Sequence, residues 1–99
     1  MTRSLIIEPD AEADLLSAFE WYEERRAGLG LDFMLCIEAT LGSIVERPKS
    51  FPRIRRSARR ALVRRFPYLV LFVDRKDAVV VVGFFHTAQS RLRWARRLR

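Results

Sequence analysis

Apolar positions recur at helical spacing along the first half of the chain and gather into short continuous runs along the second. Leu15, Phe19 and Tyr22 stand at i, i+4 and i+7, with Ala11, Leu16 and Ala18 widening the stripe and Glu20, Glu23 and Glu24 facing water. This pattern predicts an amphipathic helix with Phe19, Trp21 and Tyr22 in the core. Pro9-Asp10 is a start signal for it, Asp10, Glu12 and Asp14 favour the positive end of its dipole, and Arg25 and Arg26 suit its last turn. Gly28 is placed to stop the helix in a left-handed conformation. A second helical pattern begins near Leu29 to Leu31 and runs through Phe33, Ile37, Leu41 and Ile44, flanked by Met34 and Val45, until Pro48. Two helices joined by a short glycine turn form an antiparallel hairpin.

Elsewhere the period is that of strands. The opening SLIIE reads as a short strand, and PKSFPRIRRSA as a loop or irregular edge in which Pro48 and Pro52 deny regular pairing. Three further strands follow, ARRALVRRF, YLVLFVD and AVVVVGFFH, the last two joined by a turn around Arg75, Lys76 and Asp77. Their apolar runs do not alternate cleanly, as expected of central strands covered on part of both faces. Gly83 allows a bulge or a close backbone contact. The terminal LRWARRLR has helix-forming composition but only Leu92, Trp94, Ala95 and Leu98 to dock it, so a short helix or a frayed tail is expected. The fold class is therefore α+β. A single domain over residues 1–99 packs its two-helix hairpin on one face of a mainly antiparallel sheet and ends in a short basic helix or tail.

With 99 residues, 49% of them apolar, the chain supports one hydrophobic core. No apolar run approaches the roughly 20 residues of a membrane-spanning helix, and MTRSLIIEPD lacks the apolar segment of a signal peptide, so a cytoplasmic protein without membrane contact is expected. The single cysteine, Cys36, falls within a helix and reads as a small apolar residue. Charge changes the picture more. Residues 1 to 50 carry five basic and ten acidic side chains; residues 51 to 99 carry fourteen basic and two acidic. Seventeen of the nineteen basic residues are arginine, whose planar fork grips phosphate or carboxylate in two places. Such a field draws polyanions to one surface: nucleic acid, an acidic partner segment or an anionic membrane.

Candidate chemistry is sparse. One histidine and one cysteine, with no carboxylate at ligand spacing, give no zinc-like set, and no metal or other cofactor is expected. Glycine-rich phosphate loops and nucleophile elbows are likewise missing from the sequence. What remains is arginine around His86. If ARRALVRRF is one strand, Arg60, Leu62 and Arg64 share one face and Ala61, Val63 and Arg65 the other, and those on the open face make a cationic row beside His86. Metal-free RNA cleavage needs a base for the 2′-hydroxyl, cations for the phosphate and an acid for the leaving oxygen. His86 with Arg64 and Arg65 meets that minimum as a candidate catalytic set, and Tyr68 is a second proton donor or an amphipathic core residue. The bland alternative for His86 is a hydrogen-bonded strand end. Arg59, Arg60, Arg91, Arg93, Arg96 and Arg97 are the candidate binding residues for nucleic acid or an acidic partner, and Trp94 either stacks on a base or clamps the tail.

Several strings, taken together, resemble the RelE/ParE superfamily of toxins from bacterial type II toxin–antitoxin systems. They are EPDAEADLLSAFEWYEE, the ERPKSFP bend, ALVRRFPYLVLFVD and the terminal VVVVGFFHTAQSRLRW, and the match covers nearly the whole chain. The resemblance implies a growth-inhibiting toxin of a plasmid-stabilisation-like module, silenced by a cognate antitoxin whose acidic or amphipathic segment wraps it. Members divide into ribosome-dependent mRNA endonucleases and inhibitors of DNA gyrase, so fold does not decide between these targets. The family's second-strand arginine falls at Arg64 or Arg65, and its strand-end histidine at His86. After that histidine the family commonly has a run of the type H-G-R-R-D-P and then a tryptophan. Here Thr87, Ala88, Gln89, Ser90 and Arg91 stand in those places, and only His86 and Trp94 match. With two arginines missing beside the histidine, the endonuclease reading loses ground to gyrase binding, unless Arg91 and Arg93 fold back to replace them. A non-toxic nucleic-acid-binding module is the remaining alternative.

Overall fold

The computed structural model describes residues 4–89 and 91–98. Strand β1 (Ser4–Ile7) leads through Glu8 into helix α1 (Pro9–Arg25), and α2 (Leu29–Glu46) follows after a short turn. A 3-10 turn (Pro48–Ser50) then opens a run of strands, β2 (Arg53–Arg55), β3 (Ala58–Leu62), β4 (Tyr68–Asp74) and β5 (Ala78–His86), and helix α3 (Arg91–Arg97) closes the chain. The sheet order is β1-β5-β4-β3-β2; only the β1–β5 pair is parallel. This is the expected α+β architecture.

The hairpin is stitched at its turn. Gly28 has φ of +90°, a conformation that glycine adopts without steric cost, and it caps the start of α2 rather than the end of α1. Glu23, expected in water, instead folds over this turn, where its carboxylate accepts the Gly28 and Gly30 N–H groups at 2.9 Å each. It thereby satisfies orphan donors at a helix N-terminus and places negative charge at the positive end of the dipole. Gly30 is needed beneath it, because a Cβ there would meet both Glu23 and the Phe19 ring at 2.8 Å.

Two apolar layers bury the central strands. Between hairpin and sheet lie Phe33, Ile37 and Ile44 of α2 with Val70, Phe72, Val79 and Val81, and a set of edge-on rings joins Tyr22, Phe33, Phe66 and Tyr68. The other sheet face is built from Ala58, Leu69, Leu71, Val80, Val82 and Phe85, and α3 lies on it through Trp94, with Leu98 just beyond the helix packed there too. The tail is thus a docked helix. In α1 the buried positions are Ala11, Ala18 and Tyr22, whereas Leu16 is 58% exposed and Trp21 49% exposed, contrary to the core assignment of both.

Two departures in the sheet matter for the site. Strand β3 stops at Leu62, so Arg64 and Arg65 belong to the turn before Pro67 and not to a cationic row; Arg65 has φ of +72°. In β5 the register slips opposite Leu71 and Phe72, leaving Val82 as the extra residue of a bulge. Gly83 fits this bulge because a Cβ would overlap the Phe85 ring.

Candidate functional site

Chemistry-bearing side chains collect at the end of the sheet where β5 finishes. The segment after His86 turns tightly: the Thr87 N–H donates to Pro67 O at 2.8 Å, the Gln89 N–H to His86 O at 3.0 Å, and the His86 N–H to Gln89 Oε1 at 2.9 Å. A cleft opens on either side of this turn, and Gln89 lines both. Ser90, named in the family comparison, lies outside the described residues.

On the hairpin side, a cleft of about 450 Å³ is walled by Trp21 and Tyr22 of α1, Tyr68 and His86 of the sheet, and Arg93 of α3. The Tyr68 and His86 rings meet edge-on with centroids 5.4 Å apart. Burial raises the Tyr68 phenol above its usual value, with Tyr22 and Asp14 adding to the rise and Arg93 opposing it. Tyr68 is therefore a neutral hydroxyl at physiological pH. His86 Nδ1 accepts the Ala88 N–H at 3.0 Å. In the neutral imidazole the proton then sits on Nε2, which is a donor and not a base.

On the other sheet face, a cleft of about 380 Å³ is lined by Arg60, Arg91, Trp94 and Thr87. The tail does fold back, and it divides the two candidate replacements: Arg93 goes to the His86 cleft and Arg91 to this one. Arg64 and Arg65 line a third cleft, about 610 Å³, whose apolar lining comes from Leu35 and Ala39 of α2 with Phe51 and Leu62. The proposed catalytic trio is thus divided between clefts.

The remaining binding candidates part company. Arg59 is turned onto the chain itself, where its Nη1 donates to Phe51 O at 2.7 Å and to Lys49 O at 3.4 Å. Arg97 is also taken into the fold: Nη1 donates to Asp14 Oδ2 at 2.8 Å and to Val82 O at 2.9 Å, and the guanidinium lies 5.0 Å from the Phe85 ring centroid. Its pKa is raised, chiefly by the hydrogen bond to Asp14. Arg96 is exposed at the end of α3. The guanidinium groups therefore do not form the single surface that charge counting suggests.

Residues overlooked by the sequence reading are Gln89, which links two clefts, and Asp14, which anchors the tail. Arg55, Arg56 and Arg75 were also passed over, although they line a cavity of about 330 Å³ beside the far end of α3. Strand alternation around Ala58 and Val73 is the signal that places this last set on the α3 face. Among the described residues no group of three or more His, Cys, Asp or Glu is placed to hold a metal ion, and no helix is long and apolar enough to cross a membrane.

These features define a sheet-and-hairpin protein with an aromatic cleft, a basic cleft and an apolar groove. The same fold is found in a chain of the chromosomal ParDE TA system from P. aeruginosa, with a TM-score of 0.76 and 16% sequence identity over 86% of this chain and 96% of that one. No protein-family model and no curated protein matches the chain. The fold implied by the RelE/ParE resemblance is the fold observed.

Proposed function

We propose that the chain is the toxin of a type II toxin–antitoxin module, neutralised by a cognate antitoxin, and that when free in the cytoplasm it inhibits DNA gyrase by binding. The fold shared with a ParDE chain supports the toxin class. The observation that carries the choice of a binder over a nuclease is the separation of His86 from Arg64 and Arg65, which line different clefts. A metal-free nuclease needs base and cations on one phosphate, and His86 Nδ1 is already occupied by the Ala88 N–H. The antitoxin reading rests on the groove beside α2. Its lining is largely apolar, Arg64 and Arg65 flank it, and Leu35 is 57% exposed at its rim, which suits an amphipathic segment bearing carboxylates.

Expression of the chain alone in a bacterium tests this reading. Growth arrest with SOS induction and linearised plasmid, while cellular mRNA 5′ ends stay unchanged, is the expected result. The mRNA endonuclease is kept as a second reading because Arg93 and Tyr68 share the cleft with His86. New mRNA ends that vanish in His86→Ala would establish it in place of gyrase binding. No growth phenotype at all, combined with salt-sensitive nucleic-acid affinity, would leave only a binding module.

A further inference from the structure

The cleft on the hairpin side of His86 collects polar groups that the fold leaves without partners. Its wall is a run of edge-on rings: Trp21 and Tyr22 have centroids 5.1 Å apart, Tyr22 and Tyr68 6.1 Å, and Tyr68 and His86 5.4 Å. Trp21 is 49% exposed, and Arg25, which does not line the cleft, lies 3.7 Å from its ring centroid and steadies the indole. Among the described residues, the hydroxyls of Ser17, Tyr22 and Tyr68 and the guanidinium of Arg93 have no hydrogen-bond or ion-pair partner. Gln89 Oε1 accepts the His86 N–H, which leaves the side-chain NH₂ of Gln89 to donate. Charge in the cleft is equally one-sided. Asp14 is the one carboxylate among its described lining residues, and it is neutralised by Arg97 at 2.8 Å while it accepts the Phe84 N–H at 3.1 Å. Arg93 therefore sets the sign of the cleft.

We propose that this cleft is a binding site for a small aromatic monocarboxylate. Its volume, about 450 Å³, falls within the range of small-molecule sites, roughly 300–1,000 Å³. Each half of such a ligand answers an observation. Unpartnered hydroxyls, an amide NH₂ and a guanidinium call for an acceptor-rich group, and one arginine fork without a second cation matches one carboxylate held bidentately. A flat apolar ring finds edge-on and offset contacts along the aromatic wall. Burial keeps the Tyr22 and Tyr68 phenols protonated, so they donate to a carboxylate and do not repel it. A nucleotide is the poorer match, because a phosphate of about two negative charges would meet a single cation. The inference goes beyond the proposed function, since neither gyrase binding nor antitoxin docking calls for a small ligand here.

The experiment titrates the full, isotope-labelled chain with 2-naphthoate to about 10 mM and follows the indole N–H signals by NMR. The two tryptophans report on different clefts, Trp21 on this one and Trp94 on the Arg60–Arg91 cleft of the other sheet face. The Trp21 signal should shift along a saturation curve with a Kd of about 1 mM or below, as ligand efficiency sets for a ligand of this size, while Trp94 stays still. The uncharged 2-naphthamide should bind at least 10-fold more weakly, in the range for loss of a charged hydrogen bond, and acetate, which lacks the ring, should not saturate. Arg93→Gln, at an exposed position, should weaken 2-naphthoate at least 10-fold with an unchanged thermal melt. Arg91→Gln removes the same charge from the cleft on the other face and should keep parental affinity. A Trp21 shift that does not saturate, equal movement of both tryptophans, or parental affinity in Arg93→Gln overturns the proposal. Preference for adenosine 5′-monophosphate over 2-naphthoate overturns it too, and assigns the cleft to nucleotides as the nuclease reading expects. Saturable, Arg93-dependent binding by a chain that causes no growth arrest upholds this inference while removing the toxin reading; growth arrest without such binding does the reverse.

Discussion

Asp14 of α1 and Arg97 of α3 meet at 2.8 Å across the open end of β5, and each also bonds to the strand: Arg97 to Val82 O and Asp14 Oδ2 to the Phe84 N–H at 3.1 Å. Strand β1 pairs with β5 only as far as Val81, so the outer edge beyond it would otherwise present unpaired backbone groups. The ion pair takes the place of the strand that is missing there. Because the two side chains are only 15% and 21% exposed, removal of one leaves the other poorly solvated.

Asp14→Asn is therefore expected to destabilise the fold by about 2 kcal/mol, in the range for a charged hydrogen bond. Urea denaturation should show a lower midpoint at unchanged slope. The double variant Asp14→Leu, Arg97→Met should recover part of the loss, because no uncompensated charge remains. Equal midpoints for parent and Asp14→Asn would show that the pair contributes nothing net.

Much of this architecture is written locally, and the exceptions have definite causes. Both helices follow from the 3.6-residue period, and the buried residues Phe33, Ile37, Leu41 and Ile44 of α2 are those the period selects. In α1 the stripe is broad, and period alone cannot tell which part meets the sheet. Close packing runs through the small residues Ala11 and Ala18, which leaves Leu16 and Trp21 outside. Pro67 was the available sign that β3 ends early, since the residue before proline is restricted and regular pairing stops. The Asp14–Arg97 contact, 83 positions apart, has no local signature at all. For the same reason the division of the arginines among clefts was invisible to a count of charges along the chain.

Gly83→Ala tests the bulge. The added methyl overlaps the Phe85 ring and comes within 3.1 Å of Arg97 Nη1, and both neighbours are held in place. Overpacking of this kind costs about 1–3 kcal/mol. Combining it with Phe85→Leu should restore part of the stability lost by Gly83→Ala alone, as measured by thermal melting with near-UV circular dichroism. A Gly83→Ala variant as stable as the parent would mean that the bulge accommodates a side chain.

Alkaline pH should weaken the fold through its tyrosines. Burial raises the phenols of Tyr22 and Tyr68 above 10.0, so the unfolded chain loses those protons first. Stability from this source is fully present below the unfolded value near 10 and is lost as pH rises through the folded values. The denaturation midpoint should hold level from pH 8 to 9.5 and fall above it, with a shallower fall in Tyr68→Phe. An identical fall in parent and Tyr68→Phe would assign the alkaline loss to other groups.

Leu35→Asp probes the groove proposed for the antitoxin. Leu35 is 57% exposed, so the change leaves the core intact and the melting temperature of the free chain should stay within about 2 °C of the parent. A carboxylate at the rim removes an apolar contact and repels the acidic segment that Arg64 and Arg65 are placed to attract. Affinity for the cognate antitoxin should fall at least 10-fold in calorimetry, with an intermediate loss in Leu35→Ala, which removes the contact without adding charge. Arg65→Glu should act in the same direction and more strongly at low salt than at high salt, because its contribution is screened. Full antitoxin affinity in both Leu35→Asp and Arg65→Glu would move the neutralising segment to another face of the molecule, and the exposed apolar rim of α2 would then need a different partner.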